Sequence, residues 1–430
     1  MDVRPAIGAR TRLISIFGGS VGNLIEWYDF YVYSFFSLYF AKAFFPGEDA
    51  TAQLLNASLV FALGFLVRPL GGWLMGSYAD RRGRRAALML SVTLMCGGSL
   101  VVGICPTYAD AGALAPATLV AARLLQGLSL GGEYGASATY LSEIATPARR
   151  GFYSSFQYVT LIGGQLLASL TLLFLQRLVL SGPQLEAWGW RIPFLIGAGL
   201  ALVGLWLRQS MAETESFIAA RSGRQRTSPL ADLWRHRREA AIVVGLTAGG
   251  TLAFYTYTVY MPKFLVNSVG LTRDTATLIS TVSLFLFMCL QPAVGALSDA
   301  IGRRPVLIGF GVLGTVFTVP ILSALTRTRD PFIAFLLVMA ALVIVSGYTA
   351  INAVVKAELF PAAIRALGVA LPYALAVSVF GGTAEYVGLA FKQAGHETWF
   401  FWYVTAGIAG SLVVYALMPD TRAASRIDRD

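Results

Sequence analysis

The chain alternates long apolar stretches with short polar ones, and the alternation repeats twelve times. A helix needs about 20 mostly apolar residues to cross the hydrocarbon core of a bilayer. Stretches of that kind lie near 13–41, 53–79, 86–106, 114–140, 152–178 and 190–208, then near 240–264, 274–298, 305–326, 331–356, 366–391 and 397–418. The pattern predicts an all-α membrane protein of twelve spanning helices. The first stretch carries Glu26 and Asp29, lacks a clear small-residue cleavage site and leads into further spans, so it reads as a helix and not as a signal peptide.

Composition sharpens this picture. Of 430 residues, 56% are apolar and only 13% are charged, against about 25% charged in a soluble chain. A surface so poor in charge must face lipid. The 44 glycines suit helices that approach closely where no hydrophobic drive holds them together. A net charge of +10 would suit nucleic acid, but the cations sit in short loops between apolar stretches, so no nucleic-acid partner is expected. Cys96, Cys105 and Cys289 lie inside apolar stretches with neither a disulfide framework nor metal-ligand spacing. No metal and no cofactor is expected.

Of the 33 lysines and arginines, 23 fall on the side of the N-terminus and 8 on the opposite side. The positive-inside rule then places both termini in the cytoplasm and supports an even helix count. The longest polar connection, 209–238, holds six arginines. It reads as a cytoplasmic linker, a basic loop held near anionic lipid. It joins an N-terminal six-helix bundle (1–208) to a C-terminal one (239–430).

The halves repeat. Gly76-Ser-Tyr-Ala-Asp80-Arg-Arg-Gly83-Arg-Arg85 follows the second span, and Gly295-Ala-Leu-Ser-Asp299-Ala-Ile-Gly302-Arg-Arg304 follows the eighth. Glu143 and Arg150 after the fourth span match Glu358 and Arg365 after the tenth. Two motifs at nearly one offset indicate duplication, and repeated halves with a site between them are the basis of alternating access.

The Gly-x4-Asp-x2-Gly-Arg-Arg loop, its copy, and Arg123-x2-Gln126-Gly127 resemble signatures of the major facilitator superfamily. Gly22-Asn-Leu-Ile-Glu26-Trp-Tyr-Asp29-Phe-Tyr-Val-Tyr33 resembles the metabolite:proton symporter family within it. So do Gly131-Gly-Glu-Tyr-Gly135, Trp188-Gly-Trp-Arg-Ile-Pro193 and Lys356-Ala-Glu-Leu-Phe-Pro361. These runs bring the chain nearest the members that carry 2-oxoglutarate. The resemblance implies the major facilitator fold, with twelve helices in two pseudo-symmetric six-helix bundles. It also implies a monomeric, multi-pass protein of the bacterial inner (plasma) membrane, importing a small carboxylate with protons. Other family substrates remain open: citrate, another dicarboxylate, shikimate, or betaine and proline. The compatible-solute members often carry a long C-terminal coiled coil, whereas this sequence runs about 12 residues past its last span. Enzyme chemistry is not expected, since no nucleophile elbow, zinc spacing or P-loop occurs.

An ionised side chain at bilayer depth costs about 2.5–3.5 kcal/mol, so Glu26, Asp29, Arg68 and Arg123 must gain something there. At 100° per residue, Asn23, Glu26, Asp29 and Tyr33 share one arc of the first helix. Arg123, Gln126, Gly127 and Tyr134 share one on the fourth. Such stripes face the bundle interior or a wet cavity. Arg68 and Arg123 are candidate anchors for an anionic substrate, because the planar arginine fork suits carboxylates. Glu26, Asp29, Arg123 and Glu133 are candidates for proton coupling. The alternative is a structural ion-pair set joining helices one, two and four, with Arg68, next to Pro69, bracing a kink. Further substrate candidates are Tyr33, Gln157, Gln165, Arg191 at the outer rim, Tyr255, Tyr257 and Lys356. Snorkelling to the interface is the expected state of Lys356, and a solvated helix end is open for Glu385. Asp80, Arg84, Glu143, Arg150, Asp299, Arg303, Glu358 and Arg365 form a candidate cytoplasmic latch. In it Asp80 and Asp299 cap helices eleven and five, respectively.

Overall fold

The computed structural model describes residues 9–82, 84–130, 133–143, 145–209, 233–362 and 364–427. Side chains are described from Asn23 onward, apart from some positions within 76–88, 131–136 and 203–209. Most of the predicted linker lies outside the described residues, as do the side chains of Asp80, Arg84 and Glu133.

Twelve helical rods follow the apolar pattern. In the first half they are α1 (Ala9–Phe44), α2 (Ala50–Leu66, continued by Arg68–Arg82), α3 (Arg84–Ile104), α4 (Leu114–Leu130, then Glu133–Glu143), α5 (Arg150–Phe174) and α6 (Ile192–Gln209). In the second they are α7 (Arg237–Tyr255, continued to Asn267), α8 (Arg273–Ile301), α9 (Arg303–Arg327), α10 (Pro331–Thr349, then Asn352–Leu359), α11 (Arg365–Ala376, continued to Gln393) and α12 (Glu397–Leu417). Among the described residues, eight helices are long and apolar enough to cross a membrane by themselves, and three shorter apolar helices join them. Leu114, Leu178 and Leu417 are more than 70% exposed, as side chains facing hydrocarbon should be.

The interruptions have local causes. Helix α2 breaks at Val67, just before Pro69, whose ring removes a donor and clashes with the preceding turn. Helix α10 breaks at Ala350–Ile351, where the Asn352 side chain donates to the Thr349 carbonyl at 2.9 Å. Helices α7 and α11 each contain a π turn, Thr256–Tyr260 and Val377–Gly381, a feature often found at functional positions.

Within the first half, α3 packs on α6 and α4, α1 on α5, and α2 on α4; within the second, α9 and α7 pack on α12, and α8 on α10. The halves meet through α5–α8, α2–α11 and α4–α10/α11. Glycines set the closest crossings. A Cβ on Gly127 would stand 2.1 Å from the Gly64 carbonyl oxygen, and one on Gly295 would stand 2.6 Å from that of Gly151. We expect Gly127→Ala to force α2 and α4 apart and destabilise the protein by about 1–3 kcal/mol. Thermal unfolding in detergent checks this, and an unchanged midpoint would refute it.

Candidate functional site

A small cavity lies between the halves, with space for one or two water molecules (about 20 Å³ open to water centres). Its polar wall comes from Asn23 and Glu26 of α1, Arg68 of α2, Tyr134 of α4 and Tyr373 of α11. Trp27, Leu130, Ala370, Ala374 and Val377 complete it. Arg68 is only 5% exposed. Its guanidinium carbon lies 3.8 Å from the Phe65 ring centroid, 4.3 Å from Phe30 and 5.0 Å from Trp27. Its Nε and Nη2 make no hydrogen bond. The arginine is thus held by ring faces, with donors left over at the cavity. Asn23 is fixed by Thr160, to which its Nδ2 donates at 2.8 Å, and by the Trp27 indole, which donates to its Oδ1 at 3.0 Å.

Asp29 and Arg123 do not reach this cavity. Asp29 is sealed in a seam of α1, α3, α4 and α6, and Arg123 is fully buried beside it, against Phe61 and Gly64 of α2. Arg123 Nη1 donates to Gln126 Oε1 at 2.7 Å, Gln126 Nε2 donates to Asp29 Oδ2 at 2.9 Å, and Ser99 also donates to Asp29. Asp29 faces Gly197, where even a Cβ would not fit. The Phe30 ring stands between the two arginines, 4.2 Å from Arg123 and 4.3 Å from Arg68. It stands between the cavity and the Asp29–Gln126–Arg123 network. The polar arc of α1 is wide enough to straddle both interfaces, so its two acids part.

Other sequence candidates scatter. The Tyr33 hydroxyl donates to the Ala57 carbonyl at 3.0 Å, and its ring faces Arg123. Gln157 accepts from Ser137 at 2.5 Å, and Gln165 donates to Thr258 at 3.2 Å; each keeps one buried amide atom without a partner. Tyr255 meets the Tyr31 hydroxyl at 3.2 Å across the halves. Tyr257 lines a separate small cavity inside the second half, with Phe310 and Thr318. Arg191 donates to the Cys105 carbonyl at 2.9 Å and covers Trp190, anchoring α6 to the end of α3.

One expectation is corrected and one open reading falls away. Lys356 does not snorkel: it is fully buried, and its Nζ donates to Asn352 Oδ1 at 2.7 Å. The break in α10 turns this segment inward. Glu385 is not a solvated end. It is 2% exposed and pairs with Lys263 at 2.8 Å, and both bond Ser34 of α1. Lys263 escaped the sequence reading because it is the next-to-last residue of the seventh apolar stretch, where a lysine is expected to reach the membrane surface.

The halves are tied together on both faces of the molecule. On the side of the termini, Asp299 accepts from the backbone N–H of Gly151 at 2.8 Å and of Phe152 at 2.9 Å, at the start of α5. Arg303 binds Asp299 at 2.8 Å and lies 3.5 Å from Glu358. The duplicated acid–base pairs exchange partners. Glu143 of the first half binds Arg365 of the second at 2.5 Å, and Glu358 of the second approaches Arg150 of the first at 3.9 Å. Thr421 and Ser425, beyond α12, join this cluster through Glu358 and Arg150. On the opposite face the Lys263–Glu385–Ser34 cluster ties α1 to α7 and α11. Arg177 pairs with Asp274 at 2.7 Å, and Gln393 donates to Asp49 at 2.6 Å. The bond from Gln393 and the Thr51 N–H hold the Asp49 carboxyl below its ordinary range, so it stays ionised at neutral pH.

This architecture has known counterparts. The family model described as "Sugar (and other) transporter" matches residues 16–228 and 207–428, once per half. The chain belongs to this transporter family of the major facilitator superfamily. The transporter is 56% identical to the alpha-ketoglutarate permease of Escherichia coli (strain K12), over 92% of this chain and 91% of the relative. It is 35% identical to a citrate-proton symporter of Salmonella typhi, over 92% of each. It is 31% identical to the proline/betaine transporter of Escherichia coli (strain K12), over 86% of this chain and 76% of the relative. Among solved structures, the proton:xylose symporter XylE bound to 6-bromo-6-deoxy-D-glucose superposes with a TM-score of 0.76, at 19% identity and 98% coverage of both chains. That likeness establishes the fold. The chain is a membrane transporter and not an enzyme.

Proposed function

We propose that this transporter imports a small carboxylate, 2-oxoglutarate first, together with protons across the bacterial inner membrane, by alternating access in a single chain. The observation that carries this reading is the cavity between the halves, where Arg68 and Glu26 border the same space. Arg68 holds the substrate carboxylate through its unused donors. Glu26 exchanges the coupled proton as substrate and carboxylate compete for positive charge. The Asp29–Gln126–Arg123 seam stiffens the first half beneath them. The 56% identity to the permease supports the choice of substrate.

Energetics require coupling. A potential of 100 mV is worth about 2.3 kcal/mol per elementary charge and opposes entry of a dianion by twice that. Protons must therefore travel inward with it. A cavity for one or two waters is too small for a five-carbon diacid, so one face must open to admit substrate. The exchanged Glu143–Arg365 and Glu358–Arg150 pairs, with Asp299 on α5, form the latch of the face bearing the termini. The excess of cations on that face makes it cytoplasmic, with 209–238 as the linker between bundles 1–208 and 239–430.

The test is uptake of labelled 2-oxoglutarate into proteoliposomes under imposed pH gradients, with citrate, shikimate and betaine as competitors. Accumulation driven by an inward proton gradient, competed by dicarboxylates alone, is expected. Preference for betaine, or uptake indifferent to the gradient, would overturn the reading. For Glu26→Gln we expect substrate exchange to persist while uphill accumulation is lost, and retained accumulation would remove Glu26 from the coupling step.

A further inference from the structure

Lys356 is a fully buried amine with no acid beside it among the described residues. The other deeply buried cations of the second half have acids at hand: Lys263 has Glu385, and Arg303 has Asp299 and Glu358. Lys356 has an amide oxygen at 2.7 Å, the Tyr134 hydroxyl at 3.4 Å and the face of Tyr373 at 4.0 Å. No carboxylate among the described residues pairs with it. An ammonium so placed is costly and adds nothing to stability by itself.

Its surroundings connect it to the cavity. Tyr134 of α4 and Tyr373 of α11 stack face to face, 3.6 Å apart at 10°. One ring comes from each half, and both also border the Arg68 cavity. Lys356 therefore stands directly behind the cavity wall, and that wall divides along the line on which the halves separate.

We propose that Lys356 is a second anion subsite, reached when the Tyr134–Tyr373 stack parts, and that it makes the transporter selective for substrates with two carboxylates. This rests on the reading of the central cavity as the transport site. One carboxylate occupies Arg68 of the first half, and the distal one reaches Lys356 of the second. A dianion satisfies both cations only by bridging the halves, so its binding favours the arrangement in which the stack has parted and both cations face one substrate. A monocarboxylate engages one cation and leaves the halves untied. With the site closed, the tyrosine faces shelter the ammonium until the substrate arrives.

The experiment compares 2-oxoglutarate with 2-oxovalerate, which has the same carbon chain and lacks the distal carboxylate. Their inhibition constants against labelled 2-oxoglutarate uptake are measured in proteoliposomes for wild type, Lys356→Gln and Lys356→Arg. Wild type is expected to favour the dicarboxylate by roughly thirtyfold or more. Lys356→Gln should reduce the ratio to a few-fold by weakening 2-oxoglutarate alone, and Lys356→Arg should restore most of it. Thermal unfolding of Lys356→Gln should occur at or above the wild-type midpoint, since an unpaired buried charge is gone. A ratio unchanged in Lys356→Gln overturns the subsite and leaves the transport reading intact. Equal loss of both ligands with a lowered midpoint overturns it too, by marking Lys356 as structural. A wild type that takes up no dicarboxylate overturns both.

Discussion

Replacing Arg68 by glutamine is expected to abolish concentrative uptake at micromolar substrate while leaving the protein folded. The side chain is 5% exposed, sits among three aromatic rings and has two nitrogens without hydrogen-bond partners beside the cavity. On the proposed reading, the substrate carboxylate is the group those donors lack. Truncating one partner of a buried, hydrogen-bonded charge pair costs about 2–5 kcal/mol. At about 1.4 kcal/mol per factor of ten, affinity should fall by about thirtyfold to more than a thousandfold. Arg68→Lys keeps the charge and loses the planar fork, so it should fall between wild type and glutamine. The measurement is the substrate dependence of uptake in proteoliposomes. The folding control is thermal unfolding in detergent, where the loss of three ring contacts is expected to be offset by removal of a buried charge without an acid partner, so the midpoint should change little. Wild-type affinity in Arg68→Gln would remove the anchor from the mechanism.

The second large effect is on stability. Glu385→Ala leaves the Lys263 ammonium buried with only Ser34 beside it, at 2.7 Å. Breaking a buried pair by removing one partner typically costs about 3–5 kcal/mol. The midpoint of thermal unfolding in detergent should drop sharply. In the double variant Lys263→Met/Glu385→Ala no charge is stranded, and most of the loss should be recovered, because a buried ion pair contributes little net stability over apolar packing. A double variant as unstable as the single would show that the pair itself, and not the stranded charge, holds α7 and α11 together. Among the described residues, Ser34 alone carries this cluster across to the first half by hydrogen bonds. Opening the opposite face therefore breaks two hydrogen bonds to a neutral hydroxyl and leaves the ion pair whole.

The twelve helices, their approximate bounds and the duplication were legible in the chain because they depend on local physics. Crossing hydrocarbon demands a run of apolar residues whatever its neighbours, and a duplicated loop keeps its spacing whatever the packing. Helical periodicity also showed that Glu26 and Asp29, or Arg123 and Gln126, share a stripe. It could not say what that stripe meets. Glu26 borders the cavity while Asp29, one turn on, is locked onto Ser99 and Gln126, since a helix face is decided by its own residues and its environment by helices a hundred residues away. Depth was likewise undetermined. The breaks at Val67 and Ala350–Ile351 and the π turns in α7 and α11 redirect the helical segments beyond them, and two lysines near the ends of apolar stretches, Lys263 and Lys356, end up fully buried. The repeated acids and bases were visible as copies. Only the tertiary structure decided that each Glu takes the other copy's Arg, because pairing across a pseudo-twofold is a property of the docked halves and of neither half alone.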